Sequence, residues 1–172
     1  MIPQVGLGSS ETSDFAPFKH AIEFGYRHID TALLYGNEKI IGKAINELMS
    51  AGKVKREQLF IVTKVSNNHH SREGAAKSIN ISLTNFGLSY VDLALIHWPF
   101  GVKEGDDLNP IDKDNKTIFS DIDYLETWKG LEDVHAKGLA KSIGVSNFNH
   151  LQLQRLIDNA KVKPALLQVF QF

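Results

Sequence analysis

Short apolar runs of strand character alternate with segments of helical period along the whole 172-residue sequence. Repeated strand–helix units, at roughly 25 to 50 residues each, imply right-handed crossovers and a parallel sheet. The pattern predicts a first strand over 5–8 and a helix opening near Asp14, with Pro17 in its first turn, Phe18, Ala21 and Ile22 on one face, and Gly25 at its end. A strand over 26–32 leads to a helix starting at Gly36-Asn37, whose Ile40, Ile41, Ala44, Ile45, Leu48 and Met49 share a stripe ending at Gly52. Residues 59–65 form a nearly continuous apolar run, as expected of a parallel strand covered on both faces. Ser71 can cap the next helix, with Ala75, Ile79, Leu83 and Phe86 inward and Gly87 beyond. A strand over 91–97, a long polar loop over 99–120 and a helix bearing Ile122, Leu125, Trp128, Leu131 and Val134 follow. The last unit is a strand over 142–146, a helix capped by Asn149 with Leu153, Leu156, Ile157 and Ala160 inward, and a strand over 165–172. No linker or low-complexity stretch divides the chain, so residues 1–172 are read as one domain.

The sheet is either open or rolled into a barrel. An open dinucleotide-binding sheet calls for G-x-G-x-x-G at its first strand-to-helix turn, but Gly6-Leu7-Gly8 is followed by Ser9, Ser10 and Glu11. A (β/α)8 barrel places its reacting side chains at the C-terminal ends of several strands, and here those ends carry unusual polar residues. Charge narrows the partners. Nineteen Lys+Arg against 20 Asp+Glu leave a net charge of −1, which gives no basic footprint for nucleic acid. No apolar run approaches the ~18 residues that span a bilayer, and the N-terminus has no signal-peptide pattern. The absence of cysteine excludes disulfides and thiolate chemistry and agrees with a cytoplasmic location.

Four strand-end residues form one chemical argument: Asp30, Tyr35, Lys64 and His97. A tyrosine with an unperturbed pKa of ~10 is a weak acid near neutrality, and an adjacent ammonium favours its phenolate. Lys64 would supply that charge, Asp30 would keep the buried lysine protonated, and His97 would orient a substrate oxygen. Such a set suits protonation of a carbonyl oxygen as hydride reaches its carbon. Each residue also has a plain structural reading: Asp30 as a turn former, Tyr35 as a rim aromatic, and His97 as a satisfied core histidine. An aldolase-type lyase with a Schiff base on Lys64 is a further reading, against which the Tyr-Lys-Asp-His set argues.

The motifs Gly25-Tyr26-Arg27-His28-Ile29-Asp30-Thr31-Ala32, Leu33-Leu34-Tyr35-Gly36-Asn37-Glu38, Phe60-Ile61-Val62-Thr63-Lys64, Asp92-Leu93-Ala94-Leu95-Ile96-His97-Trp98-Pro99 and Ile143-Gly144-Val145-Ser146-Asn147-Phe148 resemble the aldo-keto reductase family. The resemblance runs from about Ile2 to Val169. It implies a (β/α)8 barrel that reduces aldehydes and ketones with NADPH, monomeric as a rule in the family. It also implies Tyr35 as general acid, Asp30 and Lys64 as its tuners, and His97 as substrate orienter. For the cofactor it implies Ser146, Asn147 and Gln168 at the nicotinamide carboxamide, Asp30 at the ribose, and Gly8 and Ser9 approaching from the first strand. Trp98 is similar to the aromatic that walls the family's substrate pocket.

Departures from the family pattern carry their own expectations. Ser10 and Ser66 stand where the family usually has aromatics, and both changes would widen the pocket. Glu104 to Asp107 and Asp112 to Asn115 lack the offsets of an EF-hand and read as a solvated loop. His69-His70, with no third ligand, reads as solvent-facing, and Lys53, Lys55 and Arg56 read as an exposed connection; no metal is expected. Family members continue beyond the sixth strand, so the sequence reads as an incomplete barrel with about six of eight strands, lacking its C-terminal part. Residues 166–172 are uncharged and free of Gly and Pro, which predicts an exposed edge prone to self-association. An alternative expectation is therefore a truncated, catalytically impaired isoform or fragment that binds a partner through this edge.

Overall fold

The computed structural model describes residues 1–10 and 12–169. Its six parallel strands stand in chain order: β1 (Leu7–Gly8), β2 (His28–Asp30), β3 (Phe60–Val65), β4 (Val91–Ile96), β5 (Ala140–Ser146) and β6 (Leu167–Gln168). Between them run α1 (Phe15–Glu23), α2 (Glu38–Ser50), α3 (Arg72–Phe86), α4 (Tyr124–Ala136) and α5 (His150–Asn159). Each helix packs against the next, so the helices line one face of the sheet.

One hydrogen bond shows that this sheet curls. Gln168 on β6 donates from Nε2 to Oδ2 of Asp30 on β2 over 3.0 Å. In a flat sheet those strands, four steps apart at about 4.8 Å per step, would be separated by roughly 19 Å, too far for the two side chains to meet. The sheet is a partial barrel of the (β/α)8 type with its helices outside.

The strands' period of two sorts their residues between two cores. Ile61 and Val65 of β3 and Ala94 and Ile96 of β4 point outward into the large sheet-to-helix core, with Phe18, Ile45, Phe86 and Trp128. Val62, Leu93 and Leu95 point inward and form a small interior cluster with Phe60 and Leu166. Lys64 follows Val62 on that inner face. Beneath the cleft described below, Asp92 accepts from Arg56 Nη2 (2.7 Å) and from the backbone N–H of Ile61 (3.0 Å). Arg56 is therefore part of a half-buried ion pair rather than of an exposed connection, whereas Lys53 and Lys55 are exposed as expected.

Several boundaries differ from the sequence pattern. The strand expected over 26–32 is confined to His28–Asp30, because Tyr26 is still tied by its N–H to Ala21 and a 3-10 turn at Leu33–Tyr35 follows closely. Ile122 precedes α4, whose start is fixed by the Asp123 side chain accepting from the Leu125 N–H. The expected last strand is reduced to Leu167–Gln168, and residues 170–172 of that segment lie outside the described residues. Among the described residues, no helix is long and apolar enough to cross a membrane.

Helix α2 approaches α3 closely at Gly42, where an added Cβ would lie 2.5 Å from the Phe86 carbonyl oxygen and 2.6 Å from its Cα. Backbone atoms cannot yield as a flexible side chain can. Gly42→Ala should therefore cost about 1–3 kcal/mol, read as a lower urea midpoint with an unchanged m-value.

Candidate active site

The C-terminal ends of the strands open into a cleft of about 270 Å³ lined by Gly8, Ser9, Asp30, Tyr35, Lys64, His97, Trp98, Ser146, Asn147 and Gln168, together with Ser10 and Val169. Every site residue expected from the sequence lies on its wall. The register explains why: Gly8 pairs with Asp30, Asp30 with Val62, and Ser146 with Gln168, so the strand ends come level at one rim. Tyr35 is carried by the 3-10 turn after β2, which Gly36 closes in the left-handed region (φ 69°). Asn37, nearly fully buried, braces the turn by donating to the carbonyls of Ser9 (2.6 Å) and Thr12 (2.9 Å) and accepting from Thr31 Oγ1 (2.8 Å).

Lys64 is only 3% exposed and donates to Asp30 Oδ1 (2.7 Å) and to the Thr31 carbonyl (2.9 Å). Burial lowers its pKa, and the Asp30 carboxylate opposes that shift. The ammonium lies 5.1 Å from the centre of the Tyr35 ring. Tyr35 Oη faces His97 Nε2 at 3.4 Å, with the rings edge to face. His97 is pushed down to about 4, first by burial and then by the Lys64 charge, so its imidazole is neutral at pH 7. Its backbone carbonyl accepts from Asn147 Nδ2 (3.0 Å), and Asn147 itself holds a left-handed conformation (φ 62°) at the end of β5.

One electrostatic and one steric expectation differ from the structure. The sequence reading has Lys64 lowering the Tyr35 pKa, but in the free chain burial, and then the Asp30 charge, raise it. The physical reason is that the phenol is partly withdrawn from water and has the Asp30 carboxylate nearby, while Lys64 donates its hydrogen bonds to Asp30 and Thr31 rather than to Tyr35. Tyr35 thus keeps its proton at neutral pH. Of the two serines expected to widen the pocket, only Ser10 lines the cleft; Ser66 is fully buried and does not.

His69 and His70 are also buried rather than solvent-facing. Returning segments of the 99–120 loop cover them: Val102 N–H donates to the Asn67 carbonyl (2.8 Å), and Asn68 Nδ2 donates to that of Gly105 (2.6 Å). His70 sits against Thr127, which donates to the His70 carbonyl (2.7 Å), and burial pushes the imidazole down to about 4. An imidazole depressed from 6.5 contributes stability that is complete above pH 6.5 and is lost as pH falls towards 4, at most about 3 kcal/mol for His70. Urea unfolding at about pH 7 and about pH 4.5 should therefore show a larger fall in the natural chain than in His70→Gln. An equal fall would contradict this assignment.

The sequence reading missed the Thr31 carbonyl as a Lys64 partner, and also the exposed rings of Phe100 and Phe119 that extend outward from Trp98 in the loop read as polar. Among the described residues, no group of three or more His, Asp or Glu side chains could hold a metal ion.

A curled parallel sheet with titratable side chains converging at its C-terminal strand ends puts the chain in the (β/α)8 barrel class and makes this cleft its candidate active site. The sequence pattern of the Aldo/keto reductase family matches residues 4–170, and the chain belongs to that family. It is 43% identical to mouse aldo-keto reductase family 1 member A1 in an alignment that covers 98% of this chain and 53% of that protein. It is 46% identical to aldo-keto reductase AKR2E4 of Bombyx mori over 149 residues, 87% of this chain and 45% of that one. Among solved structures, the aldose reductase of Schistosoma japonicum superimposes with a TM-score of 0.94 at 40% identity, covering 99% of this chain and 57% of that one. The Bombyx mori AKR2E4 structure in complex with NADP gives 0.86 at 41% identity, covering 99% and 55%. The chain spans about half the length of the relatives it matches.

Proposed function

We propose that this cleft reduces aldehydes and ketones to alcohols with NADPH, and that Tyr35 donates the proton. The observation that carries the reading is the joining of Tyr35, His97, Lys64 and Asp30 within one cleft at the strand ends. Family membership and the NADP complex of the Bombyx mori relative support the same chemistry.

The cleft suits a nicotinamide carboxamide. Gln168 uses its Nε2 on Asp30, while its Oε1 is buried without a partner among the described residues. That acceptor, with Ser146 and Asn147 beside it, matches the donors and acceptors of an amide; Ser9, whose Oγ is likewise unpartnered, and Gly8 flank it. Bound NADPH would supply the hydride. Tyr35 holds its proton at neutral pH because burial and Asp30 disfavour the phenolate, so the phenol can donate to a carbonyl oxygen. The neutral His97 reaches the same oxygen position with Nε2 and helps fix it between two polar groups. Lys64 places positive charge beside the phenol, where negative charge grows as the proton leaves; Asp30 holds the ammonium in place.

The test mixes the chain with NADPH and 4-nitrobenzaldehyde, following cofactor fluorescence for binding and 340 nm absorbance for oxidation. Aldehyde-dependent NADPH oxidation supports the reading. NADPH binding with no oxidation for any of several aldehydes and ketones would overturn it.

A further inference from the structure

Resting on the proposed carbonyl reduction, we infer that Glu38 is a positioning residue: through the Thr63 hydroxyl it fixes the turn that carries Tyr35 against the strand that carries Lys64, and so places the phenol relative to the ammonium. Within the cleft these two groups meet only as a cation beside a ring, 5.1 Å from its centre, while Lys64 donates to Asp30 and to the Thr31 carbonyl. A contact of that kind is soft and does not set a position by itself. The spacing has to be held from elsewhere in the wall.

The hold comes from behind the cleft. Glu38 is the first residue of α2, three after Tyr35, and Thr63 immediately precedes Lys64 on β3. Side chains alternate along a strand, so Thr63 points towards the helices while Lys64 points into the cleft. Glu38 Oε1 accepts from Thr63 Oγ1 over 2.7 Å, and Glu38 Oε2 accepts from Asn85 Nδ2 on α3 over 2.9 Å. Ser82 Oγ, also on α3, stands 3.3 Å from Thr63 Oγ1, which has given its one proton to Glu38 and accepts there. Three elements, α2, β3 and α3, thus meet at one carboxyl group. Asn37 holds the same turn from the other side through Ser9, Thr12 and Thr31, so Tyr35 is bracketed between β1 and β3.

Energetics favour a geometric role for this carboxyl. Glu38 is 1% exposed and Thr63 is fully buried. Among the described residues no cation faces Glu38, and burial raises its pKa against the donors Asn85, Thr63 and Ser82. A buried carboxyl with no cation is a poor source of stability, whereas its hydrogen bonds are short and directional. It does not line the cleft, so it acts through Thr63 and the turn rather than on a substrate.

The experiment compares the natural chain with Glu38→Ala, Glu38→Gln, Thr63→Val and the double variant Glu38→Ala with Thr63→Val. One readout is the carbon–proton NMR cross-peak of the Tyr35 ring at neutral pH, assigned by its loss in Tyr35→Phe and displaced by the His97 ring that it meets edge to face. The other is kcat and KM for 4-nitrobenzaldehyde with NADPH. Glu38→Ala and Thr63→Val should each move the cross-peak and lower kcat about 10- to 100-fold, the effect of a displaced reacting group, with KM changed by less than about twofold. The double variant should be no slower than the slower single, because both substitutions remove the same bond. Glu38→Gln still offers Thr63 an acceptor and should keep the natural cross-peak and restore most of kcat. Turnover with an unmoved cross-peak in Thr63→Val, or Glu38→Gln as slow as Glu38→Ala, would overturn the positioning role and leave the reductase reading intact. The expected cross-peak shifts in a chain that oxidises no NADPH would support the positioning role and count against the reductase reading. Thermal melts identify any unfolded variant, and Thr63→Val, which keeps the shape of the strand residue, carries the test if Glu38→Ala does not fold.

Discussion

Asp30→Asn should destabilise the chain more than Lys64→Met, although the two residues form a single ion pair. Lys64 is 3% exposed and Asp30 18%, so losing the carboxylate strands a buried ammonium, while losing the ammonium leaves a carboxylate that water and Gln168 still reach. Removing one partner of a buried pair costs about 3 kcal/mol or more, and the Thr31 carbonyl that Lys64 would keep carries no charge to replace the carboxylate. For Asp30→Asn that corresponds to a melting temperature roughly 6–12 °C lower for a domain of this size. Lys64→Met should cost about 1 kcal/mol, the order of lost hydrogen bonding offset by a buried methionine stem. Parallel thermal melts decide it, and a larger loss for Lys64→Met would mean that the burial asymmetry does not govern the pair.

Tyr35→Phe should lower the rate of aldehyde reduction by about 10²–10⁴-fold, the contribution of a positioned general acid, while leaving NADPH affinity nearly unchanged. The affinity should persist because Gln168 Oε1 and Ser9 Oγ, which have no partner among the described residues, and the β5 end residues do not depend on the phenol. Only the hydroxyl is lost: the ring still packs edge to face on His97. A variant within a few-fold of the natural rate would remove Tyr35 from the role of acid. A large loss of NADPH binding would instead show that the ring holds the cofactor site together.

What the sequence disclosed follows from how locally each feature is encoded. Lys64 was legible because a charge at the end of an otherwise apolar strand, 59–65, demands a partner, and the period of two places it on the inner face. Tyr35, just beyond the strand that ends at Asp30, was legible only in company with Asp30, Lys64 and His97 and through the family resemblance. By contrast, the burial of His69 and His70 depends on a loop more than thirty residues later folding back over them, which no local pattern records. The same loop hid Phe100 and Phe119: its composition is polar, and only the pairing of Val102 with Phe119 brings the two rings together. The rise in the Tyr35 pKa was missed for a related reason. Its sign is set by how far the phenol is buried and by which neighbour Lys64 chooses to bond, both properties of the assembled wall.

In the proposed reduction Tyr35 donates its proton in the step that also moves the hydride. Single-turnover reduction of 4-nitrobenzaldehyde by excess NADPH, run in H2O and in D2O at matched acidity, reads that step directly. Reduction should be slower in D2O for the natural chain, and the solvent difference should disappear in Tyr35→Phe. Equal rates in the two solvents for the natural chain, or the same solvent difference in both proteins, would contradict it.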